Sequence, residues 1–141
     1  DPGVDSGLMI AQYTQAAIVS ELKRLAAPAS VDSIPSSAMQ EDHVSMGWSA
    51  GRKLRRAVAN LQRILAIEVL VASAGVEARQ PVAPGPRTGA AIRRLREDIP
   101  PMPEDRFLAA DLERASELVG SGVLLEAGEA EDAGEAGGSP D

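Results

Sequence analysis

Residues 44–74 read VSMGWSAGRKLRRAVANLQRILAIEVLVASA, a run without a single proline. Val44, Trp48, Leu54, Val58, Leu61, Leu65, Val69 and Ala72 recur at steps close to three and four, the spacing that lines one face of a helix. Arg52, Lys53, Arg55, Arg56 and Arg63 crowd the middle of the run. Just upstream, Ser37-Ala38-Met39-Gln40 has the form of a capping box, with Glu41 and Asp42 following where a helix dipole favours anions. The reading is therefore one helix from the Ser37 cap to about Ala74, roughly 50 Å long at 1.5 Å per residue, against ~30 Å for a small domain. A chain of 141 residues cannot wrap such a helix by itself.

The flanks carry the same message. Ser6 is a candidate N-cap for a first helix in which Leu8, Ala11, Ile18, Leu22 and Leu25 keep helical steps, while Met9, Tyr13, Ala17 and Val19 add apolar groups on other faces. Residues 6–20 hold no charge, and a helix apolar nearly all round is one that is buried on every side. Residues 27–40 form a connector with Pro28, Pro35 and several serines, anchored by Val31, Ile34 and Met39. After the long helix, Gly75 is a plausible stop, and Pro81, Pro84, Gly85 and Pro86 mark another connector. Thr88 is read as the cap of a short helix through Ile92 and Leu95 to Asp98, broken by Pro100, Pro101 and Pro103. A last helix runs from about Ala110 to Val119 and ends at Gly120-Ser121-Gly122. The fold class is all-α, a long-helix bundle over residues 1–125. Residues 126–141, made of Gly, Ala and acids with only Ser139 and Pro140 besides, are read as a disordered acidic tail.

Composition narrows the chemistry. Tyr13, Trp48 and Phe107 are the only aromatic residues, so Leu, Ile, Val and Ala must fill the core. The chain has no cysteine and one histidine, His43, which excludes disulfides, a thiol nucleophile and a multi-histidine metal site. The formal charge is −7, but Glu126, Glu129, Glu131, Asp132, Glu135 and Asp141 contribute six of those negative charges. The remaining 125 residues hold 15 acids and 14 bases, a net of −1. No basic surplus points to nucleic acid, and no uncharged apolar run of ~18 residues points to a membrane span. The chain starts at Asp1 and first shows a methionine at Met9, inside a helical pattern, so it reads as a piece of something longer.

The one dense polar cluster is Gln40-Glu41-Asp42-His43. A carboxylate and an imidazole together can do acid–base work, but the same residues serve equally as first-turn acids and a packing histidine. Glu68, alone within Ile64-Leu65-Ala66-Ile67-Glu68-Val69-Leu70, lies on or near the apolar stripe, and an interhelical ion pair with an arginine is its favoured reading. The basic run Arg52–Arg56, without interleaved aromatics, reads as a solvated or subunit-facing surface rather than a phosphate site.

Three collinear segments are similar to a known family: Gly7-Leu8-Met9-Ile10-Ala11-Gln12-Tyr13-Thr14, Pro28-Ala29-Ser30-Val31-Asp32-Ser33-Ile34-Pro35 and Gln40-Glu41-Asp42-His43-Val44-Ser45-Met46-Gly47. Together with Arg52-Lys53-Leu54 and Leu65-Ala66-Ile67-Glu68 they resemble the C-terminal part of the histidine ammonia-lyases, members of the aromatic amino acid lyase family. The resemblance is dense over residues 6–78 and absent from the acidic tail. It implies a mostly helical, cytoplasmic, homotetrameric lyase that converts L-histidine to trans-urocanate and ammonia. Its electrophile is a 4-methylidene-imidazol-5-one (MIO) ring made from an Ala-Ser-Gly triplet. Glu41 then matches the active-site glutamate near the substrate imidazole, a catalytic and substrate-binding role, and Gln40 matches a neighbouring substrate-binding position. His43 is a signature of the histidine enzymes. Tyr13 is not the catalytic tyrosine and packs in the first helix.

Met39 stands where many members carry asparagine, and Leu22 and Ala27 replace an asparagine and a histidine. The Ala-Ser-Gly triplet occurs nowhere. The chain alone is therefore expected to be inactive, and to be molten or aggregated when isolated, because it lacks the rest of its subunit and of the tetramer. No metal is implied. Two alternatives remain: a fragment of a phenylalanine- or tyrosine-type ammonia-lyase or aminomutase, and a non-catalytic helical interaction module.

Overall fold

A computed structural model describes residues 4–136, with side chains through residue 133. It contains five α-helices: α1 Met9–Leu25, α2 Gly47–Glu77, α3 Pro86–Asp98, α4 Ala109–Ser121 and α5 Val123–Ala136, plus a 3₁₀ turn at Ala29–Val31. No strand forms among the described residues, and an isolated antiparallel bridge joins Ser36 and Glu41.

The core sits where the second half of α2 meets α3, α4 and the start of α5. Ala66 and Leu70 pack there with Leu95, Ile99, Ala115, Leu118 and Leu124. Leu95 is wholly buried, and with few aromatics the helices close over small and branched aliphatic side chains. α1 lies along α2, tied by polar groups. Gln15 donates to the Ile64 carbonyl at 3.0 Å, Asn60 donates to the Glu21 carboxylate at 2.9 Å, and Arg56 pairs with Glu21 at 2.5 Å. Lys53 reaches the Ala27 carbonyl just beyond the end of α1. The buried Asn60 thus has the partner that its position requires.

Helix boundaries differ from the reading of side-chain signals. Ser6 does not cap α1: its backbone N–H and that of Gly7 donate to the Asp105 carboxylate at 2.7 and 2.9 Å. α2 starts at Gly47 rather than at Ser37, and it runs through Gly75 to Glu77. A single helical glycine costs only about 1 kcal/mol relative to alanine, too little to stop a packed helix. α3 takes Gly85 as its N-cap and Pro86 as its first residue, where the missing proline N–H is not needed; Thr88 is inside it. Ile99, ahead of Pro100, is extended at φ −126° and ψ 105°, which ends α3 as a pre-proline residue does. Gly122, at φ +81°, lets the chain leave α4 in a left-handed turn and enter α5 at once.

Two larger corrections concern burial and the tail. Trp48 is 81% exposed and Leu54 65%, with Val58, Leu61 and Leu65 also exposed. The face of α2 buried within this chain is instead that of Asn60, Ala66, Ile67, Leu70 and Ser73. α2 is apolar on two sides, and the α1 and α4 partners available here occupy only one. Glu68 is exposed, and no arginine among the described residues pairs with it. The tail read as disordered from residue 126 is helical to Ala136. α5 packs on α3, with Arg87 paired to Asp132 at 3.2 Å and Arg93 to Glu131 at 3.1 Å. Three of the acids that suggested disorder, Glu129, Glu131 and Asp132, thus pair with arginines of another helix. Residues 137–141 of that expectation lie outside the described residues.

α2 is also long and apolar enough to cross a membrane by length and composition, with a mean hydropathy of 1.5 over its best 18 residues. The core helix of a larger helical body meets the same test.

Candidate functional site

The Gln40–His43 cluster does not begin a helix. It belongs to a hairpin-like loop between the 3₁₀ turn and α2, and the loop has two rungs. The inner rung is backbone: Ser36 N–H donates to the Glu41 carbonyl at 2.9 Å, and Glu41 N–H donates to the Ser36 carbonyl at 3.2 Å. The outer rung uses a side chain: Val44 N–H donates to the Ser33 hydroxyl oxygen at 2.9 Å, and that hydroxyl donates to the Val44 carbonyl at 3.3 Å. At the tip, Gln40 N–H donates to the Ser37 carbonyl at 3.1 Å.

The turn is left-handed. Ser37, Ala38 and Met39 have φ of 52°, 52° and 69°, a conformation costing roughly 1–2 kcal/mol per L-residue outside glycine. Ser-Ala-Met carries none of the Gly, Asn or Asp signals that announce such a turn, which is why the capping-box pattern prevailed in the sequence. Strain of this kind collects where a function needs a particular presentation of the chain.

The loop places Gln40 and Glu41 beside the inner rung, and Asp42 and His43 between the two rungs. All four are exposed within this chain. His43 lines a groove of about 590 Å³ with Pro28, Ser30, Asp32, Ser33 and Met46, and Glu41 is not among the residues lining it. Tyr13 is on α1 and largely exposed, so it is not packed within this chain. No three of His, Cys, Asp and Glu gather into a metal-binding group among the described residues.

In chemical terms the loop offers an exposed carboxylate, Glu41, held beside Ser36 by two backbone hydrogen bonds. Its identity comes from comparison. The sequence profile of the aromatic amino acid lyases matches residues 1–97, the part of the chain that contains this loop and α2.

The chain belongs to the aromatic amino acid lyase family.

Among curated relatives of this lyase segment, histidine ammonia-lyase of Streptomyces avermitilis is 61% identical over 92% of the chain. The enzyme of Streptomyces coelicolor is 58% identical over the same share. The chain spans only a quarter of each of these relatives. Among solved structures, histidine ammonia-lyase from Trypanosoma cruzi superposes with a TM-score of 0.86 at 40% identity over 93% of the chain and 26% of that protein. A tyrosine aminomutase from Streptomyces globisporus does so with a TM-score of 0.84 at 36% identity over 93% of the chain and 25% of that protein. The all-helical fold and the lyase membership expected from the sequence are thereby established.

Proposed function

We propose that this chain is one quarter of a histidine ammonia-lyase and contributes Glu41 to an active site completed by the rest of the subunit and of a cytoplasmic homotetramer. The carrying observation is the closed loop that presents Gln40 and Glu41 in a chain 61% and 58% identical to two histidine ammonia-lyases. In that role a Glu41 carboxylate oxygen accepts the N–H of the substrate imidazole, fixing L-histidine by a charge-assisted bond. It can also take that proton as charge develops during ammonia loss. Gln40, with one amide donor group and one acceptor, orients polar atoms of the same substrate. The MIO ring implied by the family needs Ala-Ser-Gly, and this chain does not supply it: Ser49-Ala50-Gly51 and Ser73-Ala74-Gly75 run in the wrong order within α2. No step through the ring is assigned to these residues.

A second reading, an aromatic lyase or aminomutase, is favoured by the likeness to the Streptomyces globisporus tyrosine aminomutase. One experiment separates the two. The matching quarter of the Streptomyces avermitilis enzyme is replaced by this chain, and the chimera is assayed on L-histidine, L-tyrosine and L-phenylalanine. Urocanate as the main product, falling by 100-fold or more in Glu41→Gln, is the expected result. Preferred turnover of L-tyrosine, or near-normal urocanate formation by Glu41→Gln, defeats the proposal.

A further inference from the structure

We infer that Ser33 is a positioning residue for Glu41: its hydroxyl closes the outer rung of the loop and thereby holds the catalytic carboxylate in place. The inference rests on the role proposed for Glu41.

The loop lacks a continuous backbone ladder. Between the rungs lie Ile34 and Pro35 on one side and Asp42 and His43 on the other. Ser36 and Glu41 exchange both of their backbone hydrogen bonds, so an antiparallel ladder would next join Ile34 with His43, and no backbone bond joins that pair. The Ser33 hydroxyl replaces the missing ladder, accepting from Val44 N–H at 2.9 Å and donating to Val44 C=O at 3.3 Å. It thus plays both parts of a backbone pair. Val44 leads within three residues into Gly47, the first residue of α2. The outer rung is therefore where the loop is anchored to the rigid helix.

The tip pushes the other way. Three consecutive left-handed residues, Ser37, Ala38 and Met39, relax if the loop opens, and only two rungs oppose that. With the Ser33 hydroxyl gone, the backbone bridge at Ser36 and Glu41 is the one rung left, with the Gln40–Ser37 bond beyond it at the tip. Glu41 then samples positions away from its working geometry. Ser33 itself is exposed and outside the core, so its loss acts on presentation of Glu41 and not on the helical body.

The test uses the active chimera and a double-mutant cycle. Ser33→Ala is expected to lower kcat for L-histidine by about tenfold, misplacement of a catalytic group by an ångström costing up to ~100-fold, with KM changed by no more than about twofold and assembly unchanged by sizing. Ser33→Thr, which keeps the hydroxyl, is expected to restore kcat. Ser33→Ala in the Glu41→Gln background is expected to cost nothing further, because a residue acting through another has nothing left to position. If Ser33→Ala does not assemble, Ser33→Cys carries the same comparison with a weaker hydrogen-bonding group. Wild-type kcat in Ser33→Ala or Ser33→Cys, or a loss in the double variant equal to the two single losses combined, overturns the inference. A near-normal Glu41→Gln overturns instead the reading on which it rests.

Discussion

Arg96 of α3 grips Glu77, the last residue of α2, through two parallel bonds, Nε to Oε1 at 2.6 Å and an Nη to Oε2 at 2.8 Å. Its remaining Nη donates to the Ile99 carbonyl at 3.2 Å. One guanidinium thus ties together the ends of two helices that both feed the core, Leu70 from α2 and Leu95 and Ile99 from α3. Both side chains are less than one third exposed, so the pair is screened less than an ordinary surface bridge. Arg96→Ala should cost about 1.5–3 kcal/mol, the range for losing hydrogen bonds to a charged group. Amide hydrogen exchange over residues 70–77 and 95–99 is the measure, and acceleration of about tenfold corresponds to ~1.4 kcal/mol. Unchanged exchange there, with the same variant folded, would remove the pair from the account of stability.

Asp98 at the end of α3 accepts from Arg94 at 2.6 Å, one turn earlier, and from Arg114 of α4 at 2.8 and 3.1 Å. These hydrogen bonds, first from Arg94 and then from Arg114, hold its carboxyl below the usual aspartate range. A carboxylate with a lowered folded-state pKa stabilises the fold above its unfolded value of about 3.9. That stabilisation is lost as pH falls through the lower folded value. The contact between α3 and α4 should therefore loosen only below about pH 4, and Asp98→Asn should abolish that part of the acid sensitivity while weakening the contact at neutral pH. Helix content and the NMR shifts of Arg94 and Arg114, followed from pH 6 to pH 2, check it. An Asp98→Asn variant with the same acid transition as the parent chain would contradict it.

These two bridges show why part of the fold was readable from sequence and part was not. Helices were legible because periodicity reports on one element at a time: α2 and α4 declared themselves through spacing, and Gly122 marked its own turn. Pairings between elements leave no such mark. The acids of α5 looked like a solvated tail because Arg87 and Arg93, which pair with Glu129, Glu131 and Asp132, lie more than 35 residues upstream. The capping box at Ser37 failed for the same reason, since Ser36 pairs with Glu41 and turns the chain back before a helix can start. The role proposed for Glu41 was legible only through the family's sequence pattern. Ser33 was hidden altogether, because a serine in a serine-rich connector has no signal until its hydroxyl is seen on Val44.

Helix α5 sits close enough to α3 to be tested by side-chain size. A Cβ at Gly128 would stand 2.9 Å from Arg87 Cγ and 3.3 Å from the Arg87 carbonyl oxygen. Cγ can swing away, but the carbonyl belongs to the backbone of α3. Gly128→Ala should be near neutral, because helix propensity returns about 1 kcal/mol against the crowding. Gly128→Leu should cost about 1–3 kcal/mol as overpacking and release α5. Cleavage of residues 123–136 by a protease that cuts after glutamate reports this directly. Equal resistance of Gly128→Leu and the parent chain would mean that α5 is not seated on Arg87.

The last prediction concerns the uncovered side of α2. Leu54, Val58, Leu61 and Leu65 follow one another at steps of four, three and four, and all are exposed, with Trp48 at 81% extending the same helix. Burying a leucine or valine side chain is worth about 1.5–3 kcal/mol, and a stripe of this length is not left in water by a folded protein. In the isolated chain it should drive concentration-dependent association, seen by sedimentation velocity. A paired Leu54→Glu and Leu61→Glu change should return the chain toward the monomer without loss of helix content, because neither residue belongs to the core around Leu95. Within the chimeric enzyme the stripe is expected to be covered by the remaining three quarters of the protein, so the same pair of substitutions should there prevent assembly. A chain that stays monomeric at high concentration, or a chimera that assembles normally with both glutamates in place, would show that this face needs no partner.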